Sequence, residues 1–376
     1  MMSKPIPGNI LFNSLRDKPV IIMAANPRVI PGVATGILRA AKDLNSAIIF
    51  ELAKSESNLE GGYTGLKPSD FSSRMQDISD EVGHDMWVLH ADHITIKKGT
   101  PEEVEETKQL IDAQIQAGYT SFAIDPSHLY NFEGGNLREE LSQNIDITTE
   151  LAKFIESKMT GKPFGLEVEV GEIGRTDDHG RVLTTPEEAV TFIKALNEND
   201  VHPQVLAIAN GSAHGNIFDE AGNPIEQVSI DISQTKAVAK ALRDNNLEVR
   251  IAQHGITGTP RELINTQFPK GDIVKGNVAT FYQNIVYDIL KVYHPELYNK
   301  AYNWVIDTYK EKAPGKKNIE IFGKYAKFGI KQFFDEIYDV DEDTLHAIES
   351  LCYAETLSFL RAFSSKGTAE IVRKAL

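Results

Sequence analysis

MWVLHADH (residues 86–93) places an apolar run directly before two histidines and an aspartate. The first four residues are typical of a buried strand. Burying ionisable groups without partners is costly, so His90, Asp92 and His93 need a physical reason to follow such a strand. Either the strand end is simply wetted by solvent, or it opens onto a metal or catalytic site. The rest of the chain decides between these two interpretations.

The same pattern recurs seven more times along the chain. Each time, a short apolar run ends in polar residues and a helix-like stretch follows. Several runs are apolar on both faces, as parallel strands covered by helices should be. The seven runs are VIIMAAN (20–26), AIIFELAKSE (47–56), SFAIDPSH (121–128), FGLEVEVGE (164–172), VLAIANGSAHG (205–215), VRIAQHG (249–255) and DIVKGNVAT (272–280).

Helical patterns fill the intervals between these runs, for example at residues 31–45, 101–118, 144–161 and 185–199. The second and the fourth carry Pro-Glu-Glu at their start, which suits a helix because proline fits the first position and acids favour the first turn. Eight strand–helix units over about 270 residues predict an α/β fold of the (β/α)8 TIM-barrel type. An open doubly wound sheet is the alternative. The barrel is favoured because polar residues recur at nearly every strand's C-terminal end, and a barrel brings those ends to one mouth.

The sequence also predicts how the chain is divided. Residues 1–290 are expected to form the catalytic barrel, and no Pro/Ser-rich linker interrupts them. Residues 291–376 have a mostly helical pattern. We expect them to form a C-terminal helical extension packed on the barrel rather than an independent domain.

Composition excludes several classes of partner. The net charge of the 376-residue chain is −15, which argues against nucleic acid because phosphate backbones need clustered Lys and Arg. It leaves room for a small phosphorylated substrate, which needs only local donors. The single cysteine, Cys352, excludes an intramolecular disulfide and fits a reducing compartment. Without an apolar signal core or an 18-residue apolar stretch, we expect a soluble cytoplasmic protein with no membrane partner.

Three histidines at separate strand ends predict a metal site. A lone histidine at a strand end is usually structural, but His93, His214 and His254 would converge on one mouth. Three neutral imidazoles there form a zinc-type site with an open fourth position. Asp125 and Glu169 come from the intervening strands, and they could bind the metal in another position or orient its ligands.

Asp92 and His90 call for separate interpretations. If the strand stays regular to its end, Asp92 points opposite to its neighbours and faces the mouth without being a ligand. A carboxylate there suits proton transfer to a reacting oxygen. We expect His90 either to contact and orient the site residues without contacting a substrate, or to cap the end of the strand.

Glycine-rich segments lie where barrels favour phosphate. NGSAHGN (210–216) and QHGITGTP (253–260) set glycines beside histidines, and GNVAT (276–280) runs into a helix. Turns use glycine routinely, but the loops after strands seven and eight of a barrel often hold phosphate. The candidate substrate and phosphate ligands are Asn26, Gly215, Gly255, Thr257, Gly258, Asn277 and Thr280.

The segment GEIGRTDDHGRVLTTPEEA (171–189) separates strand five from its helix. A solvated surface loop is the ordinary interpretation of such a charged stretch. The functional interpretation is that Asp177 or Asp178 swings in as a base after substrate binds.

These motifs together resemble the class II, metal-dependent fructose-1,6-bisphosphate aldolases, from about Val20 to Ile289. LHADH is similar to the family's His-x-Asp-His, and AIDPSH, EVEVG, GSAHG, QHG and GNVAT follow in the family's order. The resemblance implies that His93, His214 and His254 bind the catalytic metal, usually Zn²⁺, and that Asp125 and Glu169 lie near a second metal position. It further implies a monovalent cation, Na⁺ or K⁺, near the phosphate loops. Asp92 would then be the proton donor to the oxygen at the cleaved bond.

The chain departs from the family at three places. HGITG (254–258) replaces His-Gly-Gly-Ser-Gly, and NVAT (277–280) replaces Asn-x-Asp-Thr, so a substrate-facing carboxylate is missing. RTDD (175–178) replaces a Gly-Gly-Glu-Glu-like run. These changes leave the metal ligands intact but alter the contacts to the sugar phosphate and the candidate base.

The sequence therefore predicts a metal-dependent aldolase acting on a ketose phosphate, with fructose 1,6-bisphosphate as the leading substrate and tagatose bisphosphate as an alternative. We expect a homo-oligomer, dimeric or tetrameric. One rival is a Schiff-base aldolase using Lys275, a lysine inside a core strand. The other is a metal-binding barrel that hydrolyses or isomerises, or that has no activity.

Overall fold

Eight parallel strands close into a barrel, in the order β1-β8-β7-β6-β5-β4-β3-β2. The computed structural model describes residues 4–171, 176–177, 180–212, 217–218, 224–226 and 229–376. All eight predicted strands are present, and the predicted TIM barrel is confirmed. The strands β1 to β8 are Ile22–Ala25, Ile48–Ala53, Trp87–Thr95, Ser121–Asp125, Gly165–Val170, Val205–Ile208, Arg250–Gln253 and Ile273–Val278.

Helices surround the barrel and cover its outer face. The predicted helices at 101–118 and 185–199 begin where expected, because Thr100 and Thr185 each accept a hydrogen bond from the backbone of the first turn. No helix in the described ranges is long and apolar enough to cross a membrane. The helices α1 to α16 are Gly8–Leu15, Val33–Asp43, Pro68–Val82, Pro101–Gln116, Leu137–Glu140, Ser142–Met159, Pro186–Glu198, Ile232–Asp244, Arg261–Gln267, Thr280–Tyr293, Pro295–Tyr309, Asn318–Tyr325, Gly329–Gln332, Phe334–Tyr338, Glu342–Ala362 and Thr368–Arg373, with short 3₁₀ turns at Lys310–Lys312 and Ala326–Phe328.

The barrel interior changes from apolar to ionic along its axis. Its lower half is filled by buried side chains of several strands, among them Ile22, Ile49, Val88, Val205 and Val274. Helix α1 closes this end with Leu11 and Phe12, which are fully buried. Two residues further along the strands, on the same face, Glu51 follows Ile49 and His90 follows Val88. The polar part of the interior therefore lies toward the C-terminal ends of the strands, where barrel active sites are built.

The C-terminal helices pack closely on the barrel. Helix α15 lies against α2, and a Cβ added at Gly36 would meet the carbonyl oxygen of Glu349 at 2.5 Å. Only glycine permits that approach. Further along, the Tyr282 hydroxyl lies 2.7 Å from that of Thr356, which joins α10 to α15. The division of the chain at residue 290 stays a prediction.

Candidate active site

A cavity of about 330 Å³ opens at the C-terminal mouth of the barrel. That volume is at the lower end of the range typical of small-molecule sites. Ten of the predicted site residues line it: Asn26, Asp92, His93, Asp125, Glu169, His254, Gly255, Thr257, Asn277 and Thr280. Gly258 does not line it. His214, Gly215 and Asp178 lie outside the described residues, as does the side chain of Asp177, whose backbone pairs with Gly180 in a short hairpin.

A β-bulge brings Asp92 and His93 to the same cavity. The pairing between β3 and β4 shifts between Ala91 and Ile94, and His93 has a left-handed backbone with φ of 36°. In a regular strand two successive side chains point to opposite faces. The bulge turns His93 back toward the mouth, so both side chains line the cavity. The strand does not stay regular to its end, so the condition under which Asp92 would point opposite to its neighbours is not met.

His93 lies at the centre of a group of titratable side chains. Its Nδ1 lies 3.0 Å from Glu169 Oε2 and 3.3 Å from Asp125 Oδ2. Its Nε2 lies 3.2 Å from His254 Nδ1, and the two rings are 4.4 Å apart. Two carboxylates therefore face one ring nitrogen of His93, and a second imidazole faces the other.

The electrostatics of this group favour a bound cation. Burial disfavours a charge on His93, yet Asp92 and Glu169 outweigh burial and raise its pKa well above the usual value. Burial likewise opposes ionisation of Asp125, but hydrogen bonds with His93 and Ser127 lower its pKa to about 2. The Glu169 pKa is raised to about 7 by burial and by the neighbouring Asp125. In the protein alone, the proton on His93 supplies the positive charge that these carboxylates attract.

The donor set also fits a divalent metal of the zinc type. Asp92, His93 and His254 offer ligand atoms that all lie within 4.8 Å of one another. Two nitrogens bound to one tetrahedral metal with bonds of 2.0–2.1 Å would be roughly 3.3 Å apart, and the imidazole nitrogens of His93 and His254 are 3.2 Å apart. Imidazole and carboxylate are ligands that zinc accepts.

Asp92 is buried beside the two histidines, and two side chains deeper in the barrel donate hydrogen bonds to it. Its Oδ1 accepts from Lys275 Nζ at 3.3 Å and from Asn277 Nδ2 at 3.4 Å. Burial alone would raise its pKa, but the charges of His93 and Lys275 outweigh burial and lower it. Asp92 is therefore an ionised carboxylate at the cavity wall.

An ionic layer of side chains lies directly beneath the cavity, and sequence reasoning missed most of it. Lys275 Nζ lies 2.7 Å from Glu167 Oε2, 2.9 Å from Glu51 Oε2 and 3.2 Å from His90 Nε2. His90 is completely buried and also contacts the Ser121 hydroxyl at 2.7 Å, so it is part of this layer and not a strand cap. The available signal was an acid inside each of two apolar runs: Glu51 in AIIFELA, and Glu167, two residues before Glu169, in GLEVEVG.

The environment of Lys275 bears on the Schiff-base rival. Burial would lower the Lys275 pKa, but the negative charges around it, that of Glu167 foremost, outweigh burial and raise it. An amine must lose its proton before it can attack a carbonyl. This lysine is held in the protonated form, which disfavours Schiff-base chemistry.

Two basic side chains, Arg28 and Lys327, also line the cavity. Thr280 begins α10, and its hydroxyl accepts a hydrogen bond from Arg28 at 3.2 Å. Arg28 also pairs with Glu56 at 2.7 Å, and Lys327 reaches the same cavity from the C-terminal region. Arg28 and Lys327 could not be predicted from the sequence, since neither follows a strand directly. Ile256, which replaces a family glycine, is fully buried, whereas Thr257 beside it faces the cavity.

Comparisons with known proteins agree with this geometry. The family described as "Fructose-bisphosphate aldolase class-II" matches residues 10–327. A fructose-bisphosphate aldolase of Streptococcus pneumoniae is 26% identical over 245 residues, covering 65% of this chain and 68% of that protein. The D-tagatose-1,6-bisphosphate aldolase subunit GatZ of Salmonella dublin is 33% identical over 93 residues, so the match spans only 23% of this chain and 22% of that relative.

A solved structure supports the fold over nearly the whole chain. The fructose-bisphosphate aldolase of Campylobacter jejuni superposes with a TM-score of 0.63 at 18% identity, covering 97% of both chains. Since the family match spans most of the sequence, from β1 through all eight strands, this chain belongs to the class II fructose-bisphosphate aldolase family.

Proposed function

We propose that this protein is a metal-dependent aldolase that reversibly cleaves a ketose bisphosphate, with fructose 1,6-bisphosphate as the leading substrate. One observation carries the proposal. The cavity groups two imidazoles, His93 and His254, with the carboxylates of Asp92, Asp125 and Glu169, and it is also lined by Lys327 and by Arg28, which pairs with Glu56. A ketose phosphate has the matching polarity, since its carbonyl and hydroxyl oxygens suit a metal and its phosphate suits cations.

His93 and His254 would hold the metal, and His214 would complete the set. A bound divalent ion would supply a Lewis acid that polarises the substrate's carbonyl. Asp125 and Glu169 face His93 Nδ1, the nitrogen turned away from His254. That contact favours the orienting role over direct coordination, because carboxylates that accept from a ligand's second nitrogen fix its tautomer and direction.

Asp92 would handle the proton at the cleaved bond. Because it is ionised at rest, it can accept the proton of the hydroxyl whose carbon–carbon bond breaks, and it returns that proton in the condensation direction. Lys275 and Asn277 hold Oδ1, so Oδ2 is the oxygen placed for this exchange. Oδ2 lies 4.0 Å from His93 Nε2, on the metal side.

The second proton, on the carbon next to the carbonyl, needs another base. Asp177 or Asp178 is the candidate, delivered by the segment after β5 once substrate is bound. A carboxylate fixed permanently beside the metal would compete as a ligand. A base carried on a separate segment avoids that competition.

Two observations support a ketose bisphosphate as the proposed substrate. Relatives named for fructose and for tagatose bisphosphate are both similar to this chain, and the two sugars differ at a single hydroxyl. Ala279 stands where the family has an aspartate. This change removes a carboxylate next to Thr280. The surroundings of Thr280 are therefore less negative than those that the family's Asn-x-Asp-Thr motif would give.

The test is aldol cleavage measured across ketose mono- and bisphosphates, on protein as purified, after treatment with chelator and after readdition of Zn²⁺. We expect cleavage of a bisphosphate that chelation abolishes and zinc restores. Full activity in protein shown to be metal-free, or trapping of substrate by borohydride on Lys275, would contradict the proposal. His93→Ala serves as the metal-site variant, and His346→Ala, a histidine on α15 outside the cavity, as its matched control.

A further inference from the structure

Two buried amide side chains lie behind the histidine that follows strand β7. Gln253 is the last residue of β7, and Asn210 lies two residues beyond the end of β6. Their exposed fractions are 0% and 1%. Ala252 packs in the apolar barrel interior, so the next side chain, that of Gln253, points outward to the helices. A buried amide is costly unless it is hydrogen-bonded, so this pair needs partners in the helix layer.

Helix α8 determines which way the two amides are turned. The Thr235 hydroxyl donates to the Asp231 carbonyl oxygen at 2.9 Å. It is therefore an acceptor for Asn210, whose Nδ2 lies 2.9 Å away. The same Nδ2 donates to Gln253 Oε1 at 2.7 Å. Gln253 Nε2 donates in turn to Asn210 Oδ1 at 3.3 Å and to the His254 carbonyl oxygen at 2.8 Å. Each hydrogen of the two amides thus has an acceptor.

The bond to His254 lies where the sheet no longer holds the chain. The pairing of β7 with β8 ends at Gln253, opposite Gly276. Gly255 has a left-handed backbone with φ of 71°, so His254 lies between the strand end and a sharp turn. Because the peptide unit is planar, holding the His254 carbonyl oxygen fixes the plane of that peptide. This limits the direction in which the histidine side chain leaves the backbone.

That direction sets the spacing of the candidate metal ligands. His254 Nδ1 lies 3.2 Å from His93 Nε2, close to the roughly 3.3 Å expected for two nitrogens on one tetrahedral ion. Side chains of such a site must be held to within about 0.5 Å. The support extends to the start of α8, because the Asp231 backbone N–H donates to the Asn210 carbonyl oxygen at 2.8 Å.

We propose that Gln253 is a positioning residue that preorganises His254 for the divalent metal, and that Asn210 holds Gln253 in the required orientation. Neither amide lines the catalytic cavity, so both act on the site only through the histidine. This inference rests on the proposed function, since it takes His254 as a metal ligand. A merely structural pair would stabilise the fold and leave the metal affinity unchanged.

The experiment compares four full-length proteins after removal of metal: wild type, Gln253→Met, Gln253→Met with Asn210→Leu, and Gln204→Met. Methionine keeps the length of glutamine and removes the donor. Leucine in the double variant removes the other amide, so neither amide is left buried without its partner. Gln204 is the matched control. It donates to the His202 carbonyl oxygen at 2.9 Å just before β6 begins, at the opposite end of the barrel.

Three measurements separate positioning from stability. Competition with a chromogenic chelator gives the zinc affinity, the visible spectrum of Co²⁺-loaded protein reports ligand geometry, and urea unfolding of metal-free protein reports stability. We expect Gln253→Met to bind zinc on the order of tenfold more weakly and to shift the Co²⁺ spectrum, whereas Gln204→Met binds zinc as the wild type does. The double variant should regain most of the urea midpoint lost by Gln253→Met and keep its weakened zinc binding. If Gln253→Met does not fold, the double variant provides the same zinc comparison.

Two results would overturn the positioning role: wild-type zinc affinity in Gln253→Met, or zinc affinity regained together with stability in the double variant. An equal loss in Gln204→Met would also overturn it, because the effect would then not be local. The proposed function can fail separately. If the zinc results are as expected but the wild type cleaves no ketose phosphate, the function is refuted and the positioning role stands. Wild-type protein that binds no zinc would overturn both.

Discussion

Replacing Lys275 with methionine tests whether the ionic layer beneath the cavity is held by one buried charge. The ammonium is completely buried and lies within 3.3 Å of oxygens of Glu51, Glu167 and Asp92. Methionine has a similar length and no charge. The substitution therefore removes the cation and leaves the carboxylates facing one another in the barrel interior.

The magnitude follows from the cost of neutralising those carboxylates. Burial and the charge of Asp92 raise the Glu51 pKa to about 8, so Glu51 already carries a proton at neutral pH. Glu167 differs, because Lys275 and the neighbouring histidines hold its pKa well below the usual 4.5 despite burial. Placing a proton on an ordinary glutamate at pH 7 costs about 3.4 kcal/mol. Breaking a buried ion pair on one side generally costs about 3–5 kcal/mol, and we expect Lys275→Met to lose that much.

The pH dependence of the stability loss distinguishes an unpaired buried charge from a packing defect. Protonation of Glu167 becomes easier as the pH falls toward 4.5, so the loss caused by Lys275→Met should shrink by about 2–3 kcal/mol between pH 7 and pH 5. A cavity or a clash would cost the same at both values. Adding Glu167→Gln to the variant should recover part of the stability at pH 7.

The assay is urea unfolding followed by circular dichroism at pH 7 and pH 5, with the surface substitution Lys366→Met as control. The control should change the free energy of unfolding by no more than about 0.5 kcal/mol. A loss below about 1 kcal/mol for Lys275→Met at pH 7 would refute the reasoning, since leaving a buried charge without its partner costs about 3–5 kcal/mol. An equal loss at both pH values would also refute it.

Three further predictions concern the site itself. Asp92→Ala should lower kcat for cleavage roughly 10²-fold to 10⁴-fold while the metal content stays that of the wild type, in contrast to His93→Ala, which should lose metal; near-normal turnover would remove Asp92 from the chemistry. Asp177→Asn should slow exchange of the C3 proton of dihydroxyacetone phosphate with deuterated solvent, measured by NMR with little change in binding, and a loss confined to Asp178→Asn would move the base by one residue. Glu51→Gln should flatten the pH dependence of the free energy of unfolding between about pH 4.5 and 8. The folded wild type keeps a proton on Glu51 that the unfolded chain releases, so wild-type stability falls as the pH rises through this window. Parallel profiles of unfolding free energy against pH for the two proteins would show that Glu51 does not carry this proton.

Much of the fold could be predicted because its signals are local. Each strand is an apolar run of ordinary length, and each helix at 101–118 and 185–199 begins at a proline preceded by a capping threonine. The barrel topology then places the strand ends together with no need to know which side chain contacts which. This is why His93, His254, Asp125 and Glu169 could be grouped from sequence.

The rest depends on pairing and register, which the sequence does not display. The bulge at His93 exists because β3 pairs with β4 on both sides of an irregularity. The ionic layer depends on β8 bringing Lys275 opposite acids of β2 and β5 across the barrel. Arg28 and Lys327 reach the site from loops and from the C-terminal helices, and no periodicity marks such contacts.

The charged residues that line the barrel mouth bear on how the proposed substrate would bind. Three carboxylates surround two imidazoles, and an anionic phosphate there would be repelled unless the metal offset their charge. Lys327, the start of α10 and Arg28, which pairs with Glu56, line the same cavity and would attract it. Under the proposed function, a ketose bisphosphate would place a phosphate near Arg28 and Lys327 and its carbonyl toward the histidines. In that orientation the bond to be cleaved would lie beside Asp92, whose ionised form Lys275 stabilises. The buried lysine would thus act on the proposed chemistry through its electrostatic contact with Asp92, without forming a bond to the substrate.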